Sequence, residues 1–500
     1  MQDPNEPKEG EQEKKKTITT QNLRRISETE LRIPNGRNKF HPGENCLMYL
    51  NEIAGDLTII ISLHFDRSER GIIPEDFARM VPNLESLTLN QTITGRISGL
   101  EKLEQLNVYG GDVEFEGPMN ALKNLNISCN HRPIDVSHLD KVAPNINLLE
   151  LEQSGIMGNL PTFAMLRDLK IDGTQLTNLP NLPHLKKITL NGTKITQFTL
   201  TAELTHISLH RNAEFRMTAD QFRADELRGL TSLTVDSQPF DGVLPANPVL
   251  ENLSILRTTI RGIDDCPNLK KLSLTHNQSL TGGVDFFKKL SMQNLGEDHF
   301  NEQTEGILID NCLSFFDHLT FLEIDFSRFR RLEYLFLINN QIDSSLPLKI
   351  AENTSIELLH INGNRFRNDP VFFEILGENM LSFGGRTSFE LEIDLKDEAI
   401  TQDLLKAAFV AVTLKIEQQR IHPTYEPVLT LPYDFFEQFD ELPPEIATGT
   451  LDDQIIYLHQ LLEASAPLVM GGLRRATRRQ KRKNKKTKKK RKRSKKYSRY

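Results

Sequence analysis

The sequence has no long uninterrupted hydrophobic run. Its longest apolar stretch, Leu57 to Phe65, is broken by Thr58, Ser62 and His64. That stretch is well short of the ~20 residues that a membrane-spanning helix needs. The first 24 residues are polar and charged, without the apolar core of a secretory signal peptide. We therefore expect an intracellular protein of the nucleus or cytoplasm, with no membrane span.

Cysteine is scarce, with four residues spread over 500. Their spacing contains no CxxC pair and no Cys/His cluster, so it predicts no zinc site. Disulfides are rare in a reducing compartment, so we expect buried thiols rather than cross-links. The four cysteines are Cys46, Cys129, Cys266 and Cys312.

Catalytic motifs are also missing. The sequence contains no GxGxxG, GxxxxGK[ST], HExxH or GxSxG. His206 and His210 are four residues apart, which on a strand is roughly 13 Å and too far for one metal ion to bridge. We therefore expect no enzymatic activity, no catalytic residue, no metal and no cofactor.

The net charge of −7 combines two opposite parts. Residues 474–500 contain 18 Lys and Arg and no Asp or Glu, whereas the first 473 residues contain 68 acidic and 43 basic side chains. Like charges and a lack of apolar residues prevent such a tail from collapsing into a core. We predict a disordered basic tail over residues 471–500.

The sequence is rich in one short apolar repeat. An apolar residue is followed by further apolar residues three and five positions later, and then, after three more, by a small or polar residue that is often Asn. Twelve copies are readable between residues 80 and 370, and a fixed repeat of this kind indicates a stacked architecture. The copies begin at Leu84, Leu103, Leu122, Ile146, Leu166, Leu185, Leu204, Leu230, Leu250, Leu269, Leu332 and Ile356.

The repeat predicts one short strand per copy, because alternating apolar residues lie on the same face of a strand. A single strand cannot bury that face alone, so successive copies must stack over a continuous core. The Asn follows the strand, where its amide can bond backbone groups that the turn leaves unpaired. Many copies begin only 19 or 20 residues apart and their backs contain Pro, as in residues 178–183. We therefore expect extended rather than helical backs.

This repeat resembles that of the leucine-rich repeat proteins, whose pattern is LxxLxLxx[N/C]xL. The resemblance implies an α/β solenoid, a leucine-rich repeat horseshoe with a parallel sheet on its concave face and short repeats with mostly non-helical backs. It also implies a protein that binds another macromolecule. The 63 residues between Leu269 and Leu332 equal three repeats, so we expect two degenerate copies there. One would use Leu290 and Met292, and the other Ile307 and Ile309 with Cys312 at the Asn position.

The chain divides into five predicted regions. They are a disordered N-terminus (1–25), an N-terminal cap (26–80), the solenoid (81–370), a small α+β C-terminal cap or docking module (371–470) and the basic tail (471–500). In the fourth region, Phe389, Leu391 and Ile393 alternate with polar residues and predict a strand. Helices are predicted over 397–419 and 451–464.

Partner-binding residues are expected at the variable strand positions, which this template directs onto the concave face. Most of these positions are polar, but Tyr334, Phe336, Ile338 and Leu358 would bring large apolar groups together. Such clusters mark contact surfaces, although the C-terminal region folding over them is the alternative interpretation. A second candidate is an acidic run that can hold a basic segment or can simply be a solvated face. It consists of Glu150, Glu152, Asp168 and Asp172.

Three uses fit the basic tail. It has the composition of a nuclear import signal, it can bind RNA or DNA without sequence preference by counterion release, and it can bind anionic lipid, although no amphipathic anchor accompanies it. The dense core of the tail is Lys488, Lys489, Lys490, Arg491, Lys492 and Arg493.

The leading hypothesis is a non-enzymatic protein–protein interaction scaffold that binds a partner through the concave face, with the tail serving nuclear import or nucleic-acid tethering. One alternative is a nucleic-acid-binding protein that acts through the tail. The other is a substrate adaptor for a ubiquitin ligase. The identity of the partner does not follow from the sequence, because the face of a repeat varies freely with its ligand.

Overall fold

The structure is a computed structural model of the 500-residue chain. Its described residues form two compact units, 1–241 and 242–500. The predicted helices over 397–419 and 451–464, Cys46 and the basic tail lie outside the described residues. The residues that the structure describes are 24–25, 30–33, 57–65, 71–90, 93–110, 112–129, 133–223, 225–292, 300–316, 321–345, 347–366, 371–372, 375 and 390–392.

The described residues of the first unit form short strands and very little helix. The helices in this described part are α1 (Phe77–Met80) and α2 (Leu139–Val142), and single 3₁₀ turns lie at Leu57–Ile59 and Ala219–Gln221. Its strands in chain order are β1 (Arg24–Arg25), β2 (Glu30–Ile33), β3 (Ser62–Phe65), β4 (Gly71–Ile73), β5 (Ser86–Leu89), β6 (Ile93–Ile97), β7 (Gln105–Tyr109), β8 (Asp112–Phe115), β9 (Asn124–Ser128), β10 (Ile134–Asp135), β11 (Leu148–Glu152), β12 (Ile156–Met157), β13 (Asp168–Asp172), β14 (Lys187–Asn191), β15 (His206–His210) and β16 (Ser232–Asp236).

The main sheet of this unit is parallel and receives one strand from each coil. Its order is β2-β3-β5-β7-β9-β11-β13-β14-β15-β16, with β1 antiparallel to β2 at one edge. Equivalent repeat positions pair directly, so Leu149 is opposite Leu125 on one side and Leu169 on the other. The backs of several coils pair as well, in the parallel sheets β4-β6-β8 and β10-β12. The extended backs expected from the sequence are therefore confirmed.

The second unit repeats this plan. Its main parallel sheet has the order β18-β20-β21-β22-β23-β24, and β17 pairs with β19 on the back. Its strands are β17 (Gly242–Leu244), β18 (Asn252–Leu256), β19 (Ile260–Ile263), β20 (Lys271–Thr275), β21 (Gly306–Asp310), β22 (Tyr334–Ile338), β23 (Leu358–His360) and β24 (Glu390–Glu392). In the described part of this unit, helices include α3 (Gly283–Met292) and α4 (Leu348–Ala351), and 3₁₀ turns lie at Phe321–Glu323 and Phe326–Arg328.

One predicted repeat is wrong. Leu290 and Met292 belong to α3 rather than to a strand, and β20 pairs directly with β21. The segment therefore holds one wide coil with its strand at Ile307 and Ile309, as predicted, and not two coils. The physical reason is aromatic packing, because the ring of Phe287 in α3 lies 5.9 Å from that of Phe316 and buries the helix against the coil.

Burial alternates along the strands of both units. In β13, Leu169 and Ile171 are buried while Asp168, Lys170 and Asp172 are half-exposed. Burying a side chain of the size of Leu is worth about 2 kcal/mol. The stacked inward positions therefore form the core, and the three outward positions of each strand form a second surface, here called the strand face.

Buried polar residues join successive coils just after each strand. Nδ2 of Asn212 donates to the Leu190 carbonyl at 3.0 Å, and its Oδ1 accepts the Thr193 N–H at 2.9 Å. In the second unit Asn277 bonds Ile255 and Thr258 in the same way. The predicted role of Asn is confirmed, since these bonds satisfy backbone groups that the turn would otherwise leave unpaired. The equivalent residues, here called the ladder, are Thr174, Thr193, Asn212 and Gln238 in the first unit and Thr258, Asn277, Cys312, Asn340 and Asn364 in the second.

Left-handed backbone occurs immediately before the ladder. The φ angle is 52° at Arg211 and 57° at His276, a region that costs ordinary L residues about 1 kcal/mol or more. Gly173 and Gly192 occupy the same place in other coils and avoid this cost. The turn thus orients the ladder side chain, which follows each strand, toward the core.

Candidate functional site

The predicted apolar residues are brought together on the strand face of the second unit. Tyr334, Phe336 and Ile338 are the three outward residues of β22, and Tyr334 pairs with Leu358 of β23. Leu308 of β21 pairs with Phe336 and adds a fifth apolar group that sequence reasoning missed. All five side chains are half-buried. We call Leu308, Tyr334, Phe336, Ile338 and Leu358 the apolar patch.

Aromatic rings form the centre of the apolar patch. The ring centroids of Tyr334 and Phe336 are 5.7 Å apart, and that of Phe336 is 4.4 Å from the imidazole of His360. Both separations lie close to or within the range of favourable ring pairs. The rings support one another across β22 and β23, so the surface is held in one arrangement.

Gly306 makes room for the largest of these rings. It is the first residue of β21 and pairs with Tyr334. A β-carbon at Gly306 would overlap the phenol ring of Tyr334, so any other residue at this position would force the ring to move. The signal for Leu308 was present in the sequence, because Leu308 lies between the recognised core residues Ile307 and Ile309, whereas the contact of Gly306 with Tyr334 depends on strand pairing.

Carboxylates line the edge of the patch where the strands begin. Glu305, Glu333 and Glu357 precede successive strands, and the N–H of each of the latter two donates to the carbonyl of the one before. Neighbouring parallel strands lie about 4.8 Å apart, so the three residues form a closely spaced column. Arg331 approaches Glu305 at 3.8 Å. We call Glu305, Glu333 and Glu357 the acidic rim.

The acidic rim affects the nearest phenol. Burial raises the pKa of Tyr334, and the charges of Glu305 and Glu333 act in the same direction. Tyr334 is therefore a neutral hydrogen-bond donor at physiological pH. An apolar centre with negative charge at one edge favours a ligand that carries apolar side chains next to cationic ones.

The predicted acidic run lies on the strand face of the first unit and is already partly compensated. Lys170 stands opposite Glu150 in the sheet, and its Nζ is 2.6 Å from a carboxylate oxygen of Glu152. Nδ2 of Asn126 donates to Glu150 at 2.8 Å, and Nδ2 of Asn191 donates to Asp172 at 3.1 Å. Glu150, Glu152 and Asp172 therefore surround one lysine, which weakens the attraction that they offer to an external cation.

Lys170 responds to these neighbours. The hydrogen bond to Glu152 raises the pKa of Lys170 against the effect of desolvation, and the charges of Glu152, Glu150 and Asp172 add to the rise. The ammonium group is thus held in its charged form. It stabilises carboxylates that would otherwise repel one another across adjacent strands.

His210 is hydrogen-bonded within the strand face. Its Nε2 is 2.7 Å from the Ser208 hydroxyl, and its Nδ1 is 3.7 Å from a carboxylate oxygen of Asp236. The order of these groups is that of a nucleophilic triad, but 3.7 Å is too long for the bond that orients the imidazole in such a site. We therefore assign these residues to the polar strand face. His206 bonds the neighbouring Thr205 hydroxyl.

Other chemistry-bearing groups have structural surroundings. Cys129, Cys266 and Cys312 are buried, and burial raises the pKa of Cys266 to about 12 and of Cys312 to about 11. Among the described residues, no group of three or more His, Cys, Asp or Glu side chains is arranged to hold a metal ion. No helix in the same part of the chain is long and apolar enough to cross a membrane.

Comparison with known proteins gives structural likeness only. No protein-family model and no curated protein matches the chain. The chain is similar to a leucine-rich repeat protein of Leptospira interrogans (16% identity, covering 76% of this chain and 92% of that one, TM-score 0.44) and to an internalin from Listeria monocytogenes (18%, 68% and 84%, 0.36). It is also similar to TLR13 solved with ssRNA13 (14%, 66% and 54%, 0.39).

The decisive features are internal to the chain: in-register parallel strands, inward leucines and a buried Asn ladder recur from coil to coil. The fold is a leucine-rich repeat solenoid. Each unit of this solenoid displays a strand face, and the apolar patch interrupts the polar side chains of that face in the second unit. The partner-binding roles of the patch and of the acidic run remain predictions.

Proposed function

We propose that this leucine-rich repeat chain is a protein-interaction scaffold that binds a partner through the apolar patch. The observation that carries the proposal is the cluster of Tyr334, Phe336, Ile338 and Leu358 on a strand face whose other positions are mainly polar. A solvated sheet face gains nothing from large apolar groups, whereas aromatic clusters dominate the binding energy of protein interfaces.

The rigid support of the patch favours binding over simple exposure. Tyr334 and Phe336 alternate with buried Leu335 and Leu337, so their positions are set by the core. Rings that are already ordered lose little side-chain entropy on binding, which leaves more of the contact energy for affinity. The polar outward residues of β20, which pairs with β21, can then form a solvent-accessible rim of the interface.

Phe336→Asp tests this proposal. The variant places a charge at the centre of the patch, and Thr189→Asp makes the same change at a central strand-face position in the first unit. We expect Phe336→Asp to retain its fold by circular dichroism and to lose the proteins that co-purify with the wild-type chain, while Thr189→Asp keeps them. If Phe336→Asp unfolds the protein, the patch is internal and the proposal fails. Equal retention of partners by both variants also contradicts it.

We further propose that the basic tail serves nuclear import or tethers the protein to nucleic acid, because residues 474–500 carry 18 positive charges and no negative ones. Such a segment binds polyanions by counterion release, with an affinity that falls steeply as salt increases. Deleting 474–500 should abolish salt-sensitive RNA and DNA binding, and the truncated chain should still bind the partner. Loss of the partner together with the nucleic acid would instead favour a nucleic-acid-binding protein for which the solenoid is only a support.

The acidic run of the first unit remains a candidate second site for a basic partner segment. Its compensation by Lys170 limits the expected affinity. Neutralising it with Glu150→Gln and Asp172→Asn should weaken partner binding by less than Phe336→Asp does, since exposed ion pairs contribute about 1 kcal/mol or less.

A further inference from the structure

We propose that the apolar patch and acidic rim bind the chain's own C-terminal segment, residues 468–475 with the basic run that follows. The segment would act as an intramolecular occupant that an external partner displaces. This inference concerns the same patch as the proposed function, but it requires no external partner and is tested separately.

The surface sets two requirements for its occupant. The aromatic centre around Tyr334 and Phe336 favours apolar side chains, and the negative charge of the acidic rim favours cations beside them, in addition to Arg331 near Glu305. Asp310, opposite Ile338, adds a carboxylate on the strand-face side. A ligand that is only apolar would gain nothing from the negative charge of the acidic rim, and one that is only basic would leave the rings exposed to water.

The C-terminal segment meets both requirements within a few residues. Leu468, Val469, Met470 and Leu473 are apolar, and Arg474 and Arg475 follow at once, with Arg478 and Arg479 shortly after. Methionine adapts readily to aromatic surfaces. Arginine can pair bidentately with carboxylates and can stack on rings, which suits the border between Tyr334 and Glu333.

Chain connectivity brings the segment to the right part of the molecule. Strand β24 pairs with β23 beside the patch, with Leu358 opposite Glu390. Residues 393–467 lead from that strand to Leu468, and even a small fraction of their extended length of about 3.3 Å per residue covers the distance back to β22. A tethered segment binds at an effective concentration far above that of a free peptide, so modest contacts suffice.

The opposite net charges of the tail and of the rest of the chain also favour this contact. The 18 positive charges of residues 474–500 are joined to a body with 68 acidic and 43 basic residues. A nucleic acid or import receptor that binds the tail would compete with the apolar patch for it. Binding of either one would therefore release the patch. By the reciprocity of linkage, a partner on the patch would release the tail.

Zero-length crosslinking of the full-length protein tests the contact. A carbodiimide joins a carboxylate to a lysine only when the two are in direct reach, and Lys481, Lys483 and Lys485 are the first lysines after the arginines. We expect amide crosslinks from Glu333 and Glu357 to these lysines, read by mass spectrometry, with a yield that does not change on dilution. Crosslinks to Glu150 and Asp172 report attraction to an acidic surface without the aromatic patch and serve as the comparison.

A full-length variant separates apolar anchoring from general charge attraction. Replacing Leu468, Val469, Met470 and Leu473 with serine keeps every charge and leaves the described units untouched. We expect crosslinks to Glu333 and Glu357 to fall about fivefold or more, because several buried apolar groups are lost, while those to Glu150 and Asp172 stay constant. Equal yields at both acidic surfaces, an unchanged yield in the serine variant, or no crosslink to the rim would each overturn the inference. None of these outcomes alters the result of Phe336→Asp on an external partner, so the two proposals fail independently.

Discussion

The phenol ring of Tyr334 lies over the α-carbon of Gly306 in the neighbouring strand, in the space that a side chain would occupy. The two residues are the first of β22 and β21, and their contact fixes the ring at the edge of the apolar patch. A glycine at this position is otherwise unfavourable, because it is flexible in the unfolded chain and packs no side chain in the strand.

Gly306→Ala should displace this ring. We expect the free energy of unfolding to fall by about 1–3 kcal/mol, the usual cost of inserting a methyl group where packing leaves no space. Chemical denaturation measures the change. Tyr334→Ala in the same chain should remove most of the penalty, so that the double-mutant cycle yields a favourable coupling of about 1 kcal/mol or more. Additive effects of the two changes would show that the ring does not depend on Gly306.

Much of this architecture follows from the sequence because its cause is local. The spacing of Leu149 and Leu151 dictates a strand, and the buried amide of Asn277 follows from its place in the repeat. Leu290 and Met292 misled the same reasoning, since two apolar residues at i and i+2 also fit a helix that packs on aromatic rings. Their environment depends on Phe316 and its neighbours, which are distant in sequence.

The candidate sites also combine features that the repeat predicts with features that depend on how the strands pair. The outward positions Tyr334, Phe336 and Ile338 could be read from the repeat, because a strand alternates. The contribution of Gly306 could not, since it depends on which residue the neighbouring strand places opposite. Likewise, the acids near Lys170 could be identified as a run, but their neutralisation depends on the register between β11 and β13.

Asn340→Ala should be strongly destabilising. The Oδ1 of Asn340 accepts the Cys312 N–H at 3.0 Å, and its Nδ2 donates to the Ile309 carbonyl at 2.8 Å, all in the buried ladder. Removing the amide leaves two buried backbone groups unpaired, at about 1–3 kcal/mol each. We expect a loss of about 2–5 kcal/mol by denaturation. The adjacent exposed Asn339, changed to Gly, is the control and should shift stability by less than about 1 kcal/mol, because its left-handed backbone suits glycine. Similar losses at the two positions would contradict the role of the ladder.

Lys170→Met should make stability depend on salt. Without the ammonium group, Glu150, Glu152 and Asp172 repel one another across β11 and β13. We expect a loss of about 0.5–1 kcal/mol at low ionic strength, because these groups are only partly buried, and a smaller difference at high salt as screening increases. Since the pKa of Lys170 is raised in the folded chain, its stabilisation is present below the unfolded pKa and is lost as pH rises through the folded value. A difference that is independent of both salt and pH would indicate lost packing instead.

Buried thiols should make the protein sensitive to alkali. Burial raises the pKa of Cys266 from 9.0 to about 12, so the folded chain keeps a proton that the unfolded chain releases. Stability from this group is therefore complete below pH 9 and is lost as pH rises toward 12. Each pH unit in this window should lower the free energy of unfolding of the wild type by about 1.4 kcal/mol more than that of Cys266→Ala. The variant is the control because it keeps all other groups that titrate in alkali. Urea denaturation at pH 8 and pH 10 measures the difference. Parallel curves for the two proteins would show that the thiol titrates normally in the folded chain.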